Sequence, residues 1–192
     1  MLRKITLMTA SAVAAFAFNS AGININNEDL ELRANFDIGQ FNENVEPETM
    51  YVGIKFLDAD NSSRVKEDDA LYEIGFLMKR AMGERGLHIG LGVKANYTKD
   101  YTAVPLGIVF DYALPLQTII PMSIGADIYY ASKVLSFSNA NKYFEYRLEY
   151  DAEVIDHGHV VIGYRYIKTD YNDIRGEFTY NVSAYVGFTF EF

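Results

Sequence analysis

The closing stretch of the chain, "YNVSAYVGFTFEF" (residues 180–192), decides the fold. Its even positions are all apolar, whereas its odd positions are Asn, Ser, Tyr, Gly, Thr and Glu. Side chains of a β-strand point alternately to opposite faces, so the pattern predicts one long strand with an apolar face and a polar face. A strand that ends on aromatic residues needs a partner, because each unpaired backbone group costs several kcal/mol in lipid.

The same period of two recurs along most of the chain. Apolar rows begin at Leu30, Met50, Tyr72, Leu87, Val104, Met122, Phe144 and Val160, and "AGININN" (residues 21–27) supplies a short first strand. Together with the closing strand, these rows predict an all-β fold, an antiparallel transmembrane β-barrel of about ten strands joined as an up-and-down meander. Eight strands remain possible if the first hairpin lies outside the wall.

Alternation alone fits two kinds of barrel, which differ in where the apolar rows point. If the apolar rows point outward, the barrel suits a membrane, and three features favour this reading. The rows match the length of spanning strands (about 9–11 residues), and the polar face carries glycines together with charges of both signs. In addition, tyrosines stand at the ends of several rows. These tyrosines are Tyr72, Tyr97, Tyr112, Tyr130, Tyr166 and Tyr180. The alternative is a soluble periplasmic or secreted lipocalin-like barrel that binds an apolar ligand inside.

Connection lengths predict an orientation. The stretches "GERG", "PLQTIIP" and "DHGH" are mostly short, whereas residues 58–69, 133–141 and 170–179 are longer and more polar. Outer-membrane barrels have short periplasmic turns and longer outer loops, so we expect the end of the chain on the short-turn rim.

The first residues predict a secretory signal peptide. Arg3 and Lys4 precede a short apolar run, and Ala15–Ala17 forms an A-x-A site, with Ala21 as a second candidate cleavage point. This layout is typical of a signal peptide, and the run is too short to span a bilayer as a helix. The expected organisation is a signal peptide at 1–21 and a barrel at 22–192.

Composition excludes several function classes. The chain has 26 acidic and 17 basic residues and a formal net charge of -9, which argues against nucleic acid as a partner. Cysteine is absent, so disulfides, thiolate metal sites and cysteine nucleophiles are excluded. Together with the signal peptide and the strand pattern, this composition predicts the bacterial cell outer membrane as the location.

The polar face supplies the candidate site. The candidates form a charge network in the lumen: Glu73, Lys94, Asp127, Glu145, Arg147, Glu149 and Arg165. Further charges on this face are Lys55, Lys79 and Asp111. One interpretation is a narrow pore with charged walls; the other is a lumen closed by paired charges, which is usual for so few strands. Arg165 is the expected partner of the Glu145-x-Arg147-x-Glu149 run. A pore opened by alanine at 145 and 147 would show that the network is the plug.

The sequence offers little support for a catalytic site or a metal site. His157 and His159 flank a glycine in a short turn, and a single pair is too few for a zinc site. No G-x-S-x-G stretch is present, and neither Ser123 nor Ser183 is level with a histidine. The acidic "KEDD" at 66–69 is interpreted as a solvated loop rather than a divalent-cation site. We therefore expect no enzyme activity, no metal and no cofactor.

Short motifs add a family resemblance. Alternating aromatics that end in a final Phe, here Phe188, Phe190 and Phe192, resemble the C-terminal signal that the bacterial outer-membrane assembly machinery recognises. The signal peptide, "GYRYI" (residues 163–167) and "YVGFTFEF" (residues 185–192) resemble the YfaZ family of small outer-membrane proteins. The resemblance implies an outer-membrane barrel with no catalytic residues. We further expect a monomer whose partners are outer-membrane lipid and, through the C-terminal strand, the barrel-assembly machinery.

Overall fold

The computed structural model describes residues 19–59, 70–83, 86–116, 120–172 and 176–192. Most of the predicted signal peptide (residues 1–18) and the "KEDD" stretch lie outside the described residues. The first described strand begins at Ser20. Cleavage near Ala17 would therefore keep this strand whole, whereas cleavage near Ala21 would remove its first residues; the signal peptide itself stays a prediction.

Twelve β-strands and two short 3-10 helices make up the described part of the chain. The strands are β1 (Ser20–Ile25), β2 (Asp29–Asp37), β3 (Met50–Ala59), β4 (Leu71–Met82), β5 (Leu87–Tyr97), β6 (Tyr101–Ala103), β7 (Leu106–Ala113), β8 (Met122–Ala131), β9 (Ser136–Ser138), β10 (Ala140–Ile155), β11 (Gly158–Tyr171) and β12 (Glu177–Glu191). The 3-10 helices are Ile38–Gln40 and Lys133–Leu135. Among the described residues, no helix is both long enough and apolar enough to cross a membrane.

Ten of these strands close into one antiparallel barrel. The order around the wall is β1, β2, β3, β4, β5, β7, β8, β10, β11 and β12, so every long strand pairs with its neighbour in sequence. The ring closes between β12 and β1, with Ser20 opposite Glu191 and Ile25 opposite Val186. The all-β meander of ten strands is thus confirmed, and the short first strand belongs to the wall.

β6 and β9 extend the wall beyond the ring. Val104 and Pro105 separate β6 from β7, because proline has no N–H to donate to a strand ladder. β6 pairs with the end of β5 and, on its other side, with β9. The break leaves Tyr101 of β6 over one mouth of the barrel, where its side chain is buried.

The two faces of the wall differ as the alternation predicts. On the outer face, Ile74 is 55% exposed and Ile162 is 56% exposed, whereas the inward side chains of Glu145 and Arg165 are fully buried. The predicted apolar rows contribute nearly all of the large exposed apolar side chains of the strands. Along the middle of the wall, the molecule therefore carries apolar side chains outside and charged side chains inside, whereas charges such as Lys168 and Glu177 lie outside only near a rim.

Tyr180 is an exception to the predicted rows. The β11–β12 register shifts between Ile167 and Lys168, which pair with Asn181 and Thr179, so Tyr180 is an extra residue in a bulge. A bulge changes which face the following residue occupies. Tyr180 and Asn181 consequently both point inward, and the prediction of Tyr180 on the outer face is wrong.

The barrel has two rims, and their connections differ less than predicted. The terminal rim holds both described chain ends and the connections at residues 38–49 and 156–157, together with the end of β4, the start of β5, the end of β7 and the start of β8. The loop rim holds the connections at residues 26–28, 98–100 and 132–139, together with the end of β3, the start of β4, the end of β11 and the start of β12. The long connection at 38–49 contradicts a terminal rim of short turns. It is compact because Asp37 accepts hydrogen bonds from the backbone N–H groups of Gly39 (2.9 Å) and Glu48 (2.6 Å), which draws its two ends together.

Candidate functional site

The barrel interior is arranged in three levels. A tyrosine layer of apolar and aromatic side chains fills the loop-rim end, a charge network crosses the middle, and a vestibule opens at the terminal rim. Tyr101 lies at the centre of the tyrosine layer, with its ring 6.0 Å from that of Tyr143 and 6.1 Å from that of Tyr171. The other members of the layer are Leu57, Ala59, Leu71, Ala103, Ala131, Ala140, Ile167 and Tyr180.

The lysine cluster is the part of the network next to the tyrosine layer. The Nζ of Lys55 lies 2.7 Å from Glu73 Oε2 and 3.0 Å from Glu145 Oε1. The Nζ of Lys94 lies 3.3 Å from a carboxylate oxygen of each of the same two residues. Tyr143 of the tyrosine layer donates to Glu145 at 2.8 Å. Four strands are thereby tied together by two lysines and two glutamates.

The arginine cluster is centred on Glu31 of β2. Arg147 donates to both carboxylate oxygens of Glu31, at 2.8 and 2.7 Å, in the two-pronged geometry that makes arginine–carboxylate pairs strong. Arg165 donates to Glu31 at 2.6 Å and to Asp29 at 3.1 Å. Asn181, turned inward by the bulge, accepts from Arg165 at 2.9 Å. The cluster therefore joins strands on opposite sides of the lumen.

Glu149 connects the arginine cluster to the vestibule. It accepts from Arg33 at 2.7 Å, from Arg147 at 3.3 Å and from the hydroxyl of Tyr185 at 2.7 Å. With it, the network contains five cations and five carboxylates: Arg33, Lys55, Lys94, Arg147 and Arg165 against Asp29, Glu31, Glu73, Glu145 and Glu149. Buried charges are tolerable only when paired, and here each has at least one opposite partner.

Two tyrosines lie flat on glycines of the inner wall. A Cβ added at Gly92 would lie 2.2 Å from the Tyr129 hydroxyl, and one added at Gly163 would lie 2.3 Å from Cζ of Tyr185. Tyr129 in turn carries the ammonium of Lys94 over its ring, 3.8 Å from the centroid. The glycines therefore make room for aromatic rings that hold the cations of the network in place.

The vestibule is a cavity of about 360 Å³ between the charge network and the terminal rim. Tyr51, Lys79, Asp111, Asp151, His159 and Glu191 line it toward the rim. Deeper in the barrel, its wall includes Asp127, Tyr129, Arg33 and Glu149. Lys79 pairs with Asp111 at 3.1 Å across this space. The cavity is therefore polar, and the network and the tyrosine layer separate it from the loop rim.

Comparison with known proteins identifies the family. A family model described as "YfaZ precursor" matches residues 2–192. The chain belongs to the YfaZ family. No curated protein matches the chain. A solved structure reported under the heading "Unveiling the Mechanism Behind the in-meso Crystallization of Membrane Proteins" is 12% identical, with a TM-score of 0.43, over 91% of this chain and 83% of that one.

Six of the seven predicted network residues meet in this YfaZ barrel. Glu73, Lys94, Glu145, Arg147, Glu149 and Arg165 all take part in buried or half-buried ion pairs. Asp127 is the exception, because it lines the vestibule and no ion pair joins it to another described residue. The expected partner of Arg165 is also wrong: Arg165 pairs with Glu31 and Asp29 across the lumen, not with the Glu145–Glu149 run beside it.

Four network residues of the YfaZ barrel were missing from the predicted set: Asp29, Glu31, Arg33 and Lys55. A signal for them existed, since Glu31 and Arg33 alternate with Leu30, Leu32 and Ala34 and so belong to a polar face. Lys55 likewise stands on the polar face of β3.

The histidines and serines of this YfaZ chain form no catalytic or metal cluster among the described residues. His159 contacts Asp151, with 2.8 Å between Nδ1 and Oδ1, and His157 lies in the adjoining turn. Ser183 accepts a hydrogen bond from Asn26 rather than from a histidine. In the described ranges, no group of three or more His, Asp or Glu side chains is placed to hold a metal ion.

The three aromatic residues of the predicted assembly signal lie on the outer face of β12. Phe188, Phe190 and Phe192 are 39%, 37% and 52% exposed, close to the terminal rim. The backbone beside them pairs with β1, and Phe192 N donates to Asn19 O at 2.8 Å. The closing strand of the YfaZ barrel thus presents its aromatics outward at the seam.

Proposed function

We propose that this member of the YfaZ family spans the bacterial outer membrane as a monomeric barrel with a sealed interior, and that its role is structural rather than catalytic. The observation that carries the proposal is the inverted distribution of side chains. Apolar rows cover the outside of a closed wall, and most of the charges on its inner face are paired within the lumen.

The closed wall meets the main demand of a bilayer. Backbone groups in hydrocarbon must be satisfied within the protein, and a barrel achieves this by having no sheet edge. The β12–β1 seam supplies that closure. The long wall strands, such as β4 and β5, have the reach expected of tilted spanning strands (about 9–11 residues).

Aromatic side chains near the rims support the same orientation. Tyr72, Tyr97 and Tyr130 lie exposed on the outer face toward the loop rim, and Phe190 and Phe192 lie exposed toward the terminal rim. Aromatic rings at both boundaries of an apolar band are typical of outer-membrane barrels. The terminal rim then faces the periplasm, and the outward phenylalanines of β12 are available to the assembly machinery.

The lipocalin-like alternative requires the opposite arrangement. A soluble barrel that binds an apolar ligand needs apolar side chains within its cavity and polar ones toward water. Here the vestibule is lined mainly by charged, polar and tyrosine side chains, with a few apolar ones such as Leu77 and Val109, whereas Ile74, Ile108 and Ile162 are exposed. The geometry therefore favours the membrane proposal.

Cell fractionation tests the location. We expect the mature chain in the outer-membrane fraction, extractable only with detergent, and we expect it to migrate faster on a gel when it is not boiled. Recovery of a folded barrel in the periplasmic extract without detergent would refute the proposal.

A further inference from the structure

The vestibule wall holds one carboxylate that the charge network does not neutralise. Asp127 faces the cavity from the middle of β8 and forms no ion pair or hydrogen bond with another described residue. Its neighbour across the β8–β10 pair is Arg147, but that guanidinium donates to Glu31 and Glu149. The ammonium of Lys94 is likewise engaged, by Glu73 and Glu145. Among the described residues, Asp127 therefore remains a carboxylate without a direct ion-pair partner, and Lys94 and Arg147 act on it only from a longer distance.

The mouth of the vestibule is also acidic. Asp151 and Glu191 share a single histidine, His159, whose ring nitrogens lie 2.8 Å from Asp151 Oδ1 and 3.8 Å from Glu191 Oε2. One shared histidine can neutralise the negative charge of at most one of the two carboxylates. In the described part of the chain, five cations line the same cavity, but each is paired with a carboxylate: Arg33, Lys55, Lys79, Lys94 and Arg147. Asp127 and the mouth therefore leave an excess of negative charge, which concentrates cations in a recessed cavity.

The vestibule already accommodates an ammonium group of the protein itself. The Nζ of Lys79 lies 3.1 Å from Asp111 Oδ2 and 5.0 Å from the ring centroid of Tyr51. A carboxylate on one side and a phenol ring nearby form a favourable setting for an amine. Asp127 and Tyr129, two residues apart on β8, both line the same cavity. The ring of Tyr129 already carries the ammonium of Lys94, but that ammonium forms its ion pairs with Glu73 and Glu145 and not with Asp127.

We propose that the vestibule binds a small organic amine, such as a linear diamine or polyamine, which enters from the terminal rim and pairs with Asp127. The volume of about 360 Å³ suits a small ligand, because ligand pockets span roughly 300–1,000 Å³. An amine fits better than a bare metal ion, since the carboxylates are spread along the wall and the described residues offer no group of three metal ligands.

Calorimetric titration of the folded barrel with spermidine, in detergent micelles at low salt, tests the site. We expect saturable binding that Asp127→Asn weakens by at least about tenfold, because a charge-assisted contact is lost without a change of shape. Asp156→Asn is the matched control: it removes one charge at the same rim, but its side chain is 94% exposed in the turn outside the cavity. We expect this control to bind as the unchanged barrel does.

Several outcomes would overturn the site. The site is refuted if the unchanged barrel does not bind spermidine, or if Asp127→Asn binds it with unchanged affinity. It is also refuted if both substitutions weaken binding equally, because binding would then depend on the overall charge of the barrel and not on Asp127. Displacement of spermidine by Mg²⁺ at equal concentration would overturn the amine assignment.

If Asp127→Asn does not fold, the amide NMR shifts that spermidine causes in the unchanged barrel decide. Shifts confined to vestibule residues support the proposal, and shifts on the outer face refute it. Binding is measured on the isolated barrel, so its result is independent of the cellular location.

Discussion

Glu31 is the residue on which most of the arginine cluster depends. It is fully buried and accepts hydrogen bonds from Arg147, Arg165 and Asn24, which come from three different strands. Two guanidinium groups share its one carboxylate, so this carboxylate offsets much of the cost of burying both positive charges. Removing one member of a buried ion pair costs more than the pair contributes, because the partner stays buried without its counter-charge.

We predict that Glu31→Gln lowers the free energy of unfolding by about 3–5 kcal/mol, the usual cost of breaking a buried ion pair. Denaturant unfolding in micelles, followed by the gel mobility of the folded form, measures the change. Glu177→Gln is the control, since Glu177 pairs with Lys168 at 2.6 Å but its side chain is 70% exposed. We expect little change there; equal losses in the two variants would show that the buried position of Glu31 is not what matters.

Contacts between neighbouring strands depend on glycine where a tyrosine lies flat on the wall. Tyr185 of β12 crosses over Gly163 of β11 and donates to Glu149 of β10, so one side chain spans three strands. The ring cannot move aside without losing its hydrogen bond to Glu149. The glycine therefore sets both the packing of the strands and the position of a network carboxylate.

We predict that Gly163→Ala destabilises the barrel by about 1–3 kcal/mol, the usual cost of forcing extra atoms into a packed site. Gly75→Ala is the matched control, because a Cβ there meets its nearest neighbour, Lys94 Cγ, at an ordinary 3.6 Å. Alanine at 75 is expected to be neutral or slightly stabilising, since it restricts the unfolded chain. Denaturant midpoints compare the two variants, and a loss at position 75 as large as at 163 would contradict the explanation.

Strand number and face assignment could be predicted from the sequence because both follow from a local period. Alternation in rows such as those beginning at Leu87 and Met122 needs no knowledge of the rest of the chain. The face of Tyr180 was predicted wrongly, because a bulge inserts a residue without any change in the apolar pattern. The compact 38–49 connection was missed because its organisation depends on one buried carboxylate, Asp37.

The partners inside the lumen were harder to predict. Arg165 and Glu31 are far apart in sequence, and they meet only because the ring closes and its strands are staggered. Sequence spacing indicated the neighbours of Arg165 on adjacent strands, whereas its side chain reaches across the lumen. The unmatched state of Asp127 has the same cause, since it depends on where Lys94 and Arg147 find their partners.

At the scale of the whole molecule, two seals lie in series along the barrel axis. The charge network closes the middle, and the tyrosine layer around Tyr101 and Tyr143 closes the loop-rim end. They differ in kind, because one consists of paired ions and the other of packed rings. Removing the charge network therefore leaves the tyrosine layer in place, so alanine at 145 and 147 alone is not expected to open a pore.

We predict that the unchanged barrel gives no conductance steps in a planar bilayer, and that Glu145→Ala with Arg147→Ala gives none either. Adding Tyr101→Ala and Tyr143→Ala removes the large rings of the second seal and is expected to produce steps. Heat-dependent gel mobility checks that each variant is folded before it is recorded. Steps from the unchanged barrel would refute the sealed interior, and steps from the double variant would show that the tyrosine layer is no barrier.

The vestibule opens at one rim only, and this has a consequence for any solute that enters it. If the barrel spans a membrane with a sealed interior, as proposed, entry and exit share the same mouth. A solute then has no net flux across the barrel, and the filling of the vestibule follows the concentration on a single side. Such a recess would act as a sensor and not as a channel, because its steady-state occupancy depends on the solute concentration in one compartment and not on that in the other.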